Sequence, residues 1–424
     1  MSDCVINSRR RALPGAKARQ FGVSLSLALS LALAPALFAA APASAQVPDN
    51  TIRVGVLTDL SGPFADQVGP GSVVAAKLAA EDFAKEADGL KVEILSADHQ
   101  NKPDVGLSIA RRWIDVDHVD AIVDLANSGV ALAVSNYLRD KNRTALASSS
   151  ATSDLTGKAC SPTTVQWVLD TWSQGHSTAH ALAARNEKSW FFITVDYALG
   201  HTLERDATEA LKSEGGEVKG TARHPLSTAD FSALLLQAQS SGAKVLMLAN
   251  TGNDAISAIK QAGEFGLSDQ MKIAALFLQI TDVHSLGLKA AQGLLLTEAF
   301  YWDLNPATRA FSKRFADQMG GKVPTEDHAG VYSATLAYLR AVRKARSIDA
   351  DKVLEQMKAA PIDDPLFGPV VVRKDGRATH PMYLFQVKKP EESHGEWDLY
   401  NLVETIPADH AFRPMSEGNC PLVK

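Results

Sequence analysis

Three short polar segments stand out as groups that could hold a small ligand. They are Asp59-Leu60-Ser61-Gly62-Pro63, Asn127-Ser128-Gly129 and Ser148-Ser149-Ser150-Ala151-Thr152. Each follows a short apolar run that reads as a β-strand, so each is a loop at a strand's carboxyl end. Open α/β sheets bind ligands outside the carboxyl ends of their strands. The segments therefore read as parts of a binding cleft. Covalent catalysis finds less support. Gly175-His176-Ser177-Thr178-Ala179 approaches a nucleophile elbow, but Ala179 stands where the second Gly belongs. His176 and His180 are spaced to share a helix face as metal ligands, yet H-S-T-A-H lacks the zincin acid, and solvated helix histidines are commoner. Gly69-Pro70-Gly71 fits a helix start and not a dinucleotide loop. No enzyme is expected, and no cofactor or metal.

The elements that must position these loops alternate. Ile52–Thr58, Lys91–Ala97, Ala121–Leu125 and Thr144–Ala147 read as strands. Helical runs begin at Pro70, Pro103 and Val130, the last of which Asn127 or Ser128 could cap. This is βαβ arithmetic, so a parallel sheet covered on both faces is expected. Gln166–Leu169 reads as a strand leaving that domain. A second βα series follows, with strands at 190–195, 217–222, 244–249, 272–277 and 293–297. Helices are expected at 306–319, 328–346 and 349–357, then strands near 370–373, 382–387 and 397–400.

The N-terminus reads as a targeting segment. Arg9, Arg10, Arg11, Lys17 and Arg19 precede an apolar run from Phe21 to Ala40, and Ala43-Ser44-Ala45 fits the small-residue cleavage rule. A signal peptide of residues 1–45, cleaved after Ala45, is therefore expected; the alternative is an uncleaved anchor. Removing five basic residues and Asp3 takes the formal charge from −5 to about −9. That balance disfavours nucleic acid and anionic membranes as partners. The chain has 424 residues, more than one core accommodates, so two domains are expected. Beyond the leader only Cys160 and Cys420 remain. In an exported chain they read as a disulfide, the alternative being two buried thiols.

Taken in order, several segments resemble the periplasmic substrate-binding proteins of ABC importers, in the leucine/isoleucine/valine-binding family. They are V-G-V-L-T-D-L-S-G-P-F-A at 54–65, S-S-S-A-T-S-D-L-T-G at 148–157 and V-D-Y-A-L-G at 195–200. F-S-A-L-L-L-Q-A-Q-S-S-G-A at 231–243, Phe300-Tyr301-Trp302-Asp303 and A-G-V-Y at 329–332 complete the set. The resemblance implies two doubly wound parallel-sheet lobes joined by a three-crossover hinge, the type I periplasmic binding fold, closing on a ligand. Lobe one is expected at 46–170 plus 301–360, and lobe two at 171–300 plus 361–400. The tail 401–424 would return to lobe one. The implied partners are a small carboxylate ligand and the permease subunits of an inner-membrane importer, with the protein a periplasmic monomer.

The resemblance also implies a ligand set. Ser128 and the segment Ser150-Ala151-Thr152 match the positions that hold a carboxylate, with Asn127 adjacent; a carboxylate needs such hydroxyl and N–H donors. The bland alternative is a helix cap and a turn. Tyr197, in Asp196-Tyr197-Ala198-Leu199-Gly200, either covers the ligand or packs a helix start. Asp254 either meets an amine or complements a helix N-terminus. Where amino-acid binders of this family place a Glu for the ammonium, this chain reads Leu276-Phe277-Leu278-Gln279-Ile280-Thr281-Asp282. Gln279 or Asp282 substitutes, and the ligand is a branched-chain or related amino acid, or the pocket takes aromatic or other amine-free acids. Phe64, Phe277 and Trp172 are candidates for an aromatic wall. A sensory receptor on the same fold is the other reading.

Overall fold

In the computed structural model, residues 47–423 are described; the expected leader lies outside the described residues. The first lobe is built from β1 (Thr51–Thr58), α1 (Gly69–Ala84), β2 (Lys91–Asp98), α2 (Pro103–Asp115), β3 (Ala121–Asp124), α3 (Ser128–Asp140), β4 (Thr144–Ala147) and β5 (Thr164–Gln166). The strands form one parallel sheet in the order β2-β1-β3-β4-β5. Its central strands are buried on both faces, which is why they read as short apolar runs without alternation. Gly55 has a packing reason: a Cβ there would lie 2.5 Å from the Trp113 ring, so the missing side chain lets α2 settle on the sheet.

The second lobe repeats the pattern with α4 (Thr171–Ala183), β6 (Ser189–Val195), α5 (Ala198–Ser213), β7 (Glu217–His224), α6 (Ser232–Ser240), β8 (Val245–Ala249), α7 (Gly252–Glu264) and β9 (Lys272–Ala275). The strand order is β7-β6-β8-β9, all parallel. After α8 (Ile280–Leu286) and α9 (Leu288–Ala291) comes β10 (Leu295–Glu298), which departs from expectation. It reads as one more strand of the βα series, but it pairs antiparallel with a strand from far downstream.

The chain then returns to the first lobe. α10 (Pro306–Gln318), α11 (Glu326–Ala345) and α12 (Ala350–Lys358) follow, with α11 packed along α1. The Asp82 carboxylate on α1 accepts from Tyr332 Oη at 2.9 Å and Arg314 Nη1 at 2.6 Å. Three short antiparallel strands come next: β11 (Ile362–Asp364), β12 (Gly368–Val372) and β13 (Ala378–Thr379). They correct the expected boundary. Residues 362–379, expected in lobe two, lie against α11 and α12 and bridge to β5 through Gln166 and Arg377. Only β14 (Met382–Val387) and β15 (Tyr400–Ile406) join β10, in the order β10-β14-β15. The strand expected at 397–400 starts at Tyr400, because Trp397 belongs to the preceding turn and stacks on His284 at 4.1 Å. Past β15 the tail lies on the first lobe. Arg413 Nη2 donates to the Ser153 carbonyl at 2.9 Å, and Cys160 and Cys420 are joined by a disulfide.

Three segments cross between lobes: 167–170, 299–305 and 380–381. Arg377 holds the first. Its fully buried guanidinium donates to the carbonyls of Leu169 at 3.0 Å and Trp167 at 3.1 Å, and also to that of Val168. It lies 3.5 Å from the Asp170 carboxylate and over the Phe412 ring at 4.1 Å. The second crossover is held by Glu326, which accepts from Ala299 N at 2.7 Å. In the third, His380 Nε2 lies 3.0 Å from the Trp167 carbonyl, tying it to the first.

Two stability outcomes follow. Arg377→Met leaves the buried Asp170 without its cation and takes one donor from each of three carbonyls, and should lower unfolding free energy by about 3–5 kcal/mol in urea titration. Replacing Cys160 and Cys420 by Ser should cost about 2–4 kcal/mol, because the bond closes a loop spanning most of the chain; a loss below about 0.5 kcal/mol would contradict a structural role.

Candidate functional site

The cleft is made where the carboxyl ends of both parallel sheets face each other. On the first lobe, Asp59 organises the loop after β1: its carboxylate accepts from Gly62 N at 2.7 Å, Phe64 N at 2.9 Å and Asn101 Nδ2 at 2.7 Å. This turn aims Phe64 and Gln67 into the cleft. Asn127 caps α3, its Oδ1 accepting from Gly129 N at 2.9 Å and Val130 N at 3.2 Å. Ser128, the first residue of α3, is buried, and its hydroxyl has no protein partner. After β4, Gln166 Nε2 pins the loop by donating to the carbonyls of Ser150 at 2.8 Å and Thr152 at 3.1 Å. The Ser150 hydroxyl is buried without a protein partner, and Thr152 Oγ1 caps the next turn, 3.4 Å from Asp154 N.

On the second lobe, Tyr197 precedes α5, and burial holds its phenol well above the usual range. Asp254, in the first turn of α7, accepts from Ser227 N at 3.1 Å. Burial raises its carboxyl; the hydrogen bond from Ser227 N opposes the rise. His224 Nδ1 meets the Pro225 carbonyl at 2.9 Å and its Nε2 meets Asn250 Nδ2 at 3.0 Å, an arrangement that suits a neutral ring protonated on Nδ1.

Between the lobes lies a cavity of about 10 Å³, room for one water. Its walls include Phe64, Gln67, Ala126, Ser149 and Ala151 from the first lobe, Tyr197, Leu199, Thr251 and Phe277 from the second, and Asp327 from α11. Of the residues singled out from sequence, Ala151, Tyr197, Phe64 and Phe277 line this cavity. Asn127, Ser128, Ser150, Thr152 and Asp254 lie in the loops and helix starts around it. Trp172 lies elsewhere, stacked on His176 at 3.7 Å within α4. Gly175–Ala179 is the interior of that helix, so it forms no nucleophile elbow. His180 lies 3.3 Å from Glu214 on the surface. No group of His, Cys, Asp and Glu suited to a metal occurs among the described residues.

The lobes are shut on each other. Gln67 Nε2 donates across the cleft to Thr251 Oγ1 at 3.0 Å and Asp282 Oδ2 at 2.6 Å. In the reverse direction Gln279, which caps α8, donates through Nε2 to Asp327 Oδ2. Gly252 (φ 59°) lets the walls meet, since a Cβ there would lie 2.9 Å from the Pro63 carbonyl. Nearer the hinge, Arg205 of α5 reaches Asp154 Oδ1 at 2.8 Å and Ser153 Oγ at 2.6 Å.

Charge is distributed unevenly. α1, α3, α5, α7, α8 and α11 all begin at the cleft, bringing their partial positive ends together. The compensating groups are carboxylates: Asp124, Asp254, Asp282 and Asp327. No Lys or Arg is among the residues lining the cavity. Burial pushes Asp124 up to about 6 and Asp282 up to about 7. Asp327 is raised well above its ordinary value by burial and then by Glu326. Gln67 and Asp327 carry no local sequence signal for this role; Asp327 reads only as an acid in a helix's first turn.

A larger groove of about 950 Å³ lies in the second lobe between β9 and β10. It touches Lys272 and Leu295, the first residues of those strands, and so lies at the end opposite to the cleft. Ligands of open α/β sheets sit at carboxyl ends, which favours the interlobe cleft.

Two facing α/β lobes, a three-segment hinge and a shut cleft define a clamp for a small ligand. The periplasmic binding protein family profile matches residues 51–394, and the chain belongs to that family. A periplasmic binding protein of Burkholderia mallei superposes with a TM-score of 0.86 at 42% identity, covering 88% of this chain and 100% of that one. A branched chain amino acid ABC transporter periplasmic ligand-binding protein of Burkholderia xenovorans gives a TM-score of 0.78 at 41% identity, with the same coverage. Leu/Ile/Val-binding protein homolog 6 of Brucella melitensis is 27% identical over 368 residues, covering 84% of this chain and 92% of the relative.

Asp124 offers a pH test. Its carboxyl is raised in the folded protein, so protonation favours the fold, and its destabilising effect grows as pH rises from about 4 to about 6. Asp124→Asn should therefore stabilise more at pH 7 than at pH 4.5, by about 2 kcal/mol in urea titration. An equal gain at both values would show that this carboxyl titrates normally.

Proposed function

We propose that this protein is the periplasmic receptor of an ABC importer and that it carries a small amino acid, branched-chain or similar, to the permease. The observation that carries the ligand class is Asp327. It lines the cavity, Gln279 occupies only its Oδ2, and its Oδ1 is buried without a protein partner. A ligand ammonium supplies the missing donor and the missing positive charge together. The ligand carboxylate is assigned to the donors opposite: Ser128, the Ser150-Ala151-Thr152 segment and the start of α3 capped by Asn127. Tyr197 closes over the ligand, and Asp254 supports it from the second lobe. Phe64, Leu199 and Phe277 give the aliphatic side chain an apolar wall. The relatives named for branched-chain amino acids agree with this reading.

A second reading rests on the same carboxyls. With no Glu between 276 and 282, and with Asp327 pushed towards its neutral form, the protonated Asp327 carboxyl would instead donate its O–H to the carboxylate of an amine-free acid such as benzoate. In either case residues 1–45 are taken to be a leader cleaved after Ala45, and the mature receptor to be a monomer.

Thermal unfolding separates the two. L-leucine, L-valine and L-phenylalanine, each at about 100 times its dissociation constant, should stabilise by roughly 2.7 kcal/mol, and benzoate should not. Asp327→Asn should weaken amino-acid binding by about 1.5–3 kcal/mol. A response to benzoate alone would establish the second reading, and no response to any of the four would remove the amino-acid assignment.

A further inference from the structure

The lobes meet through two reciprocal contacts of one kind. Gln67 of the first lobe donates to Asp282 of the second, and Gln279 of the second donates to Asp327 of the first. Both contacts are lost if the lobes part, because residues 67 and 282 are 215 positions apart in the chain and belong to different lobes; Asp282 then keeps the Gln279 N–H within α8, at 2.9 Å. Both aspartates are buried in the shut form, Asp282 3% exposed and Asp327 2%. Opening the cleft returns them to water. Shutting it strips two carboxylates of solvent, and a neutral glutamine amide returns hydrogen bonds without positive charge.

We propose that these two glutamine–aspartate pairs form a latch that closes when each carboxyl is accompanied by a proton or by a positive group of the ligand. This rests on the receptor reading given above and adds how the cleft selects: an ammonium bearer shuts it at neutral pH, whereas an amine-free acid shuts it only with proton uptake.

The surroundings of the pair are acidic. Asp282 faces Asp66, with Glu298 and Asp327 near it. Asp327 faces Glu326, Asp124 and Asp282. The buried Arg377 acts on Glu326 and is committed to the hinge carbonyls. The adjacent His328 is held down to about 4 by burial, its Nδ1 accepting from Thr325 N, so it stays neutral through the relevant range. Lys322, a cation on this side, is paired with Asp66 at 2.9 Å; among the described residues no cation is paired with Asp282 or Asp327 themselves. The sign is fixed by linkage. Burial in the shut form lifts Asp282 from the ordinary aspartate value of 3.8 to about 7, so the closed form binds more protons than one in which the carboxyl is returned to water. Closure is favoured as pH falls from about 7 to about 4, by about tenfold per unit for each proton taken up. Between pH 8 and 5.5 Asp282 alone should shift the equilibrium about 30-fold.

The test uses the mature chain without ligand, so it does not depend on which ligand binds. Small-angle X-ray scattering should give a smaller radius of gyration at pH 5.5 than at pH 8. The Asp282→Asn/Asp327→Asn protein, whose amides need no proton, should be compact at both. Gln67→Ala/Gln279→Ala keeps the carboxyls and removes the donors, so it should be extended at both. An unchanged radius in the wild type between these pH values would overturn the latch, as would a wild-type pH response retained in the asparagine protein. If the asparagine protein does not fold, the glutamine variants decide: a radius matching wild type at both pH values refutes the latch. Failure of amino acids to bind would strike the ligand assignment and leave this measurement standing.

Discussion

The architecture depends on a buried guanidinium. Three separate segments must pass between the lobes side by side, and none is part of a sheet at the point of crossing. Their carbonyls would be unsatisfied in a region without solvent. Arg377 answers this with a planar fork of donors that reaches three consecutive carbonyls of the first crossover, beside the Asp170 carboxylate. Burial lowers it only to about 10, so it remains charged at neutral pH. Phe412 covers its face, which brings the tail into the same cluster. The disulfide near the chain's end then holds that tail in place. A hinge built this way can bend about fixed hydrogen bonds without exposing them.

The cleft follows from the same topology. Parallel strands deliver every following helix to one end of the sheet, so two facing lobes bring helix N-termini towards a single space. Left alone, that space would attract anions. The buried carboxyls on α7, α8, α11 and the end of β3 offset it. The result has hydrogen-bond donors on one side and buried carboxyls close by.

Much of this could be read from the chain. The β-branched runs, the Pro-initiated helices at Pro103 and Pro306 and the polar loops after β1, β3 and β4 are local signals, and the matching elements form within a few residues of them. The pairing of β10 was not legible, because Leu295–Glu298 follows a βα series and nothing nearby reveals that its partner begins at Met382. Residues 362–379 carry no local sign of their lobe for a related reason. Their affiliation is set by Arg377 and by packing on α11 and α12, which are tertiary facts. The cleft contacts were hardest of all. Gln67, Gln279 and Asp327 each have an ordinary local reading, as a loop amide, a helix cap and a first-turn acid; the sheet topology alone brings them together.

Hinge and cleft differ in one respect that separates stability from function. At the hinge, Arg377, the carbonyls of 167–169 and Ala299 N are all engaged, although Glu326 Oε1 is buried without a protein partner. Around the cleft, Ser128 Oγ, Ser150 Oγ, Asn250 Oδ1, Asp254 Oδ1, Gln279 Oε1 and Asp327 Oδ1 are buried without a protein partner. Each such atom costs about 1–3 kcal/mol if nothing satisfies it. A fold selected for stability alone would not gather them in one place, and natural proteins break such rules mainly where they act. The hinge supplies a rigid frame, and the unsatisfied atoms make the shut cleft costly until a molecule of matching polarity lies inside it. The groups that lack a partner in the shut cleft are the same groups that closure buries, so whatever satisfies them, a proton or a bound molecule, favours closure.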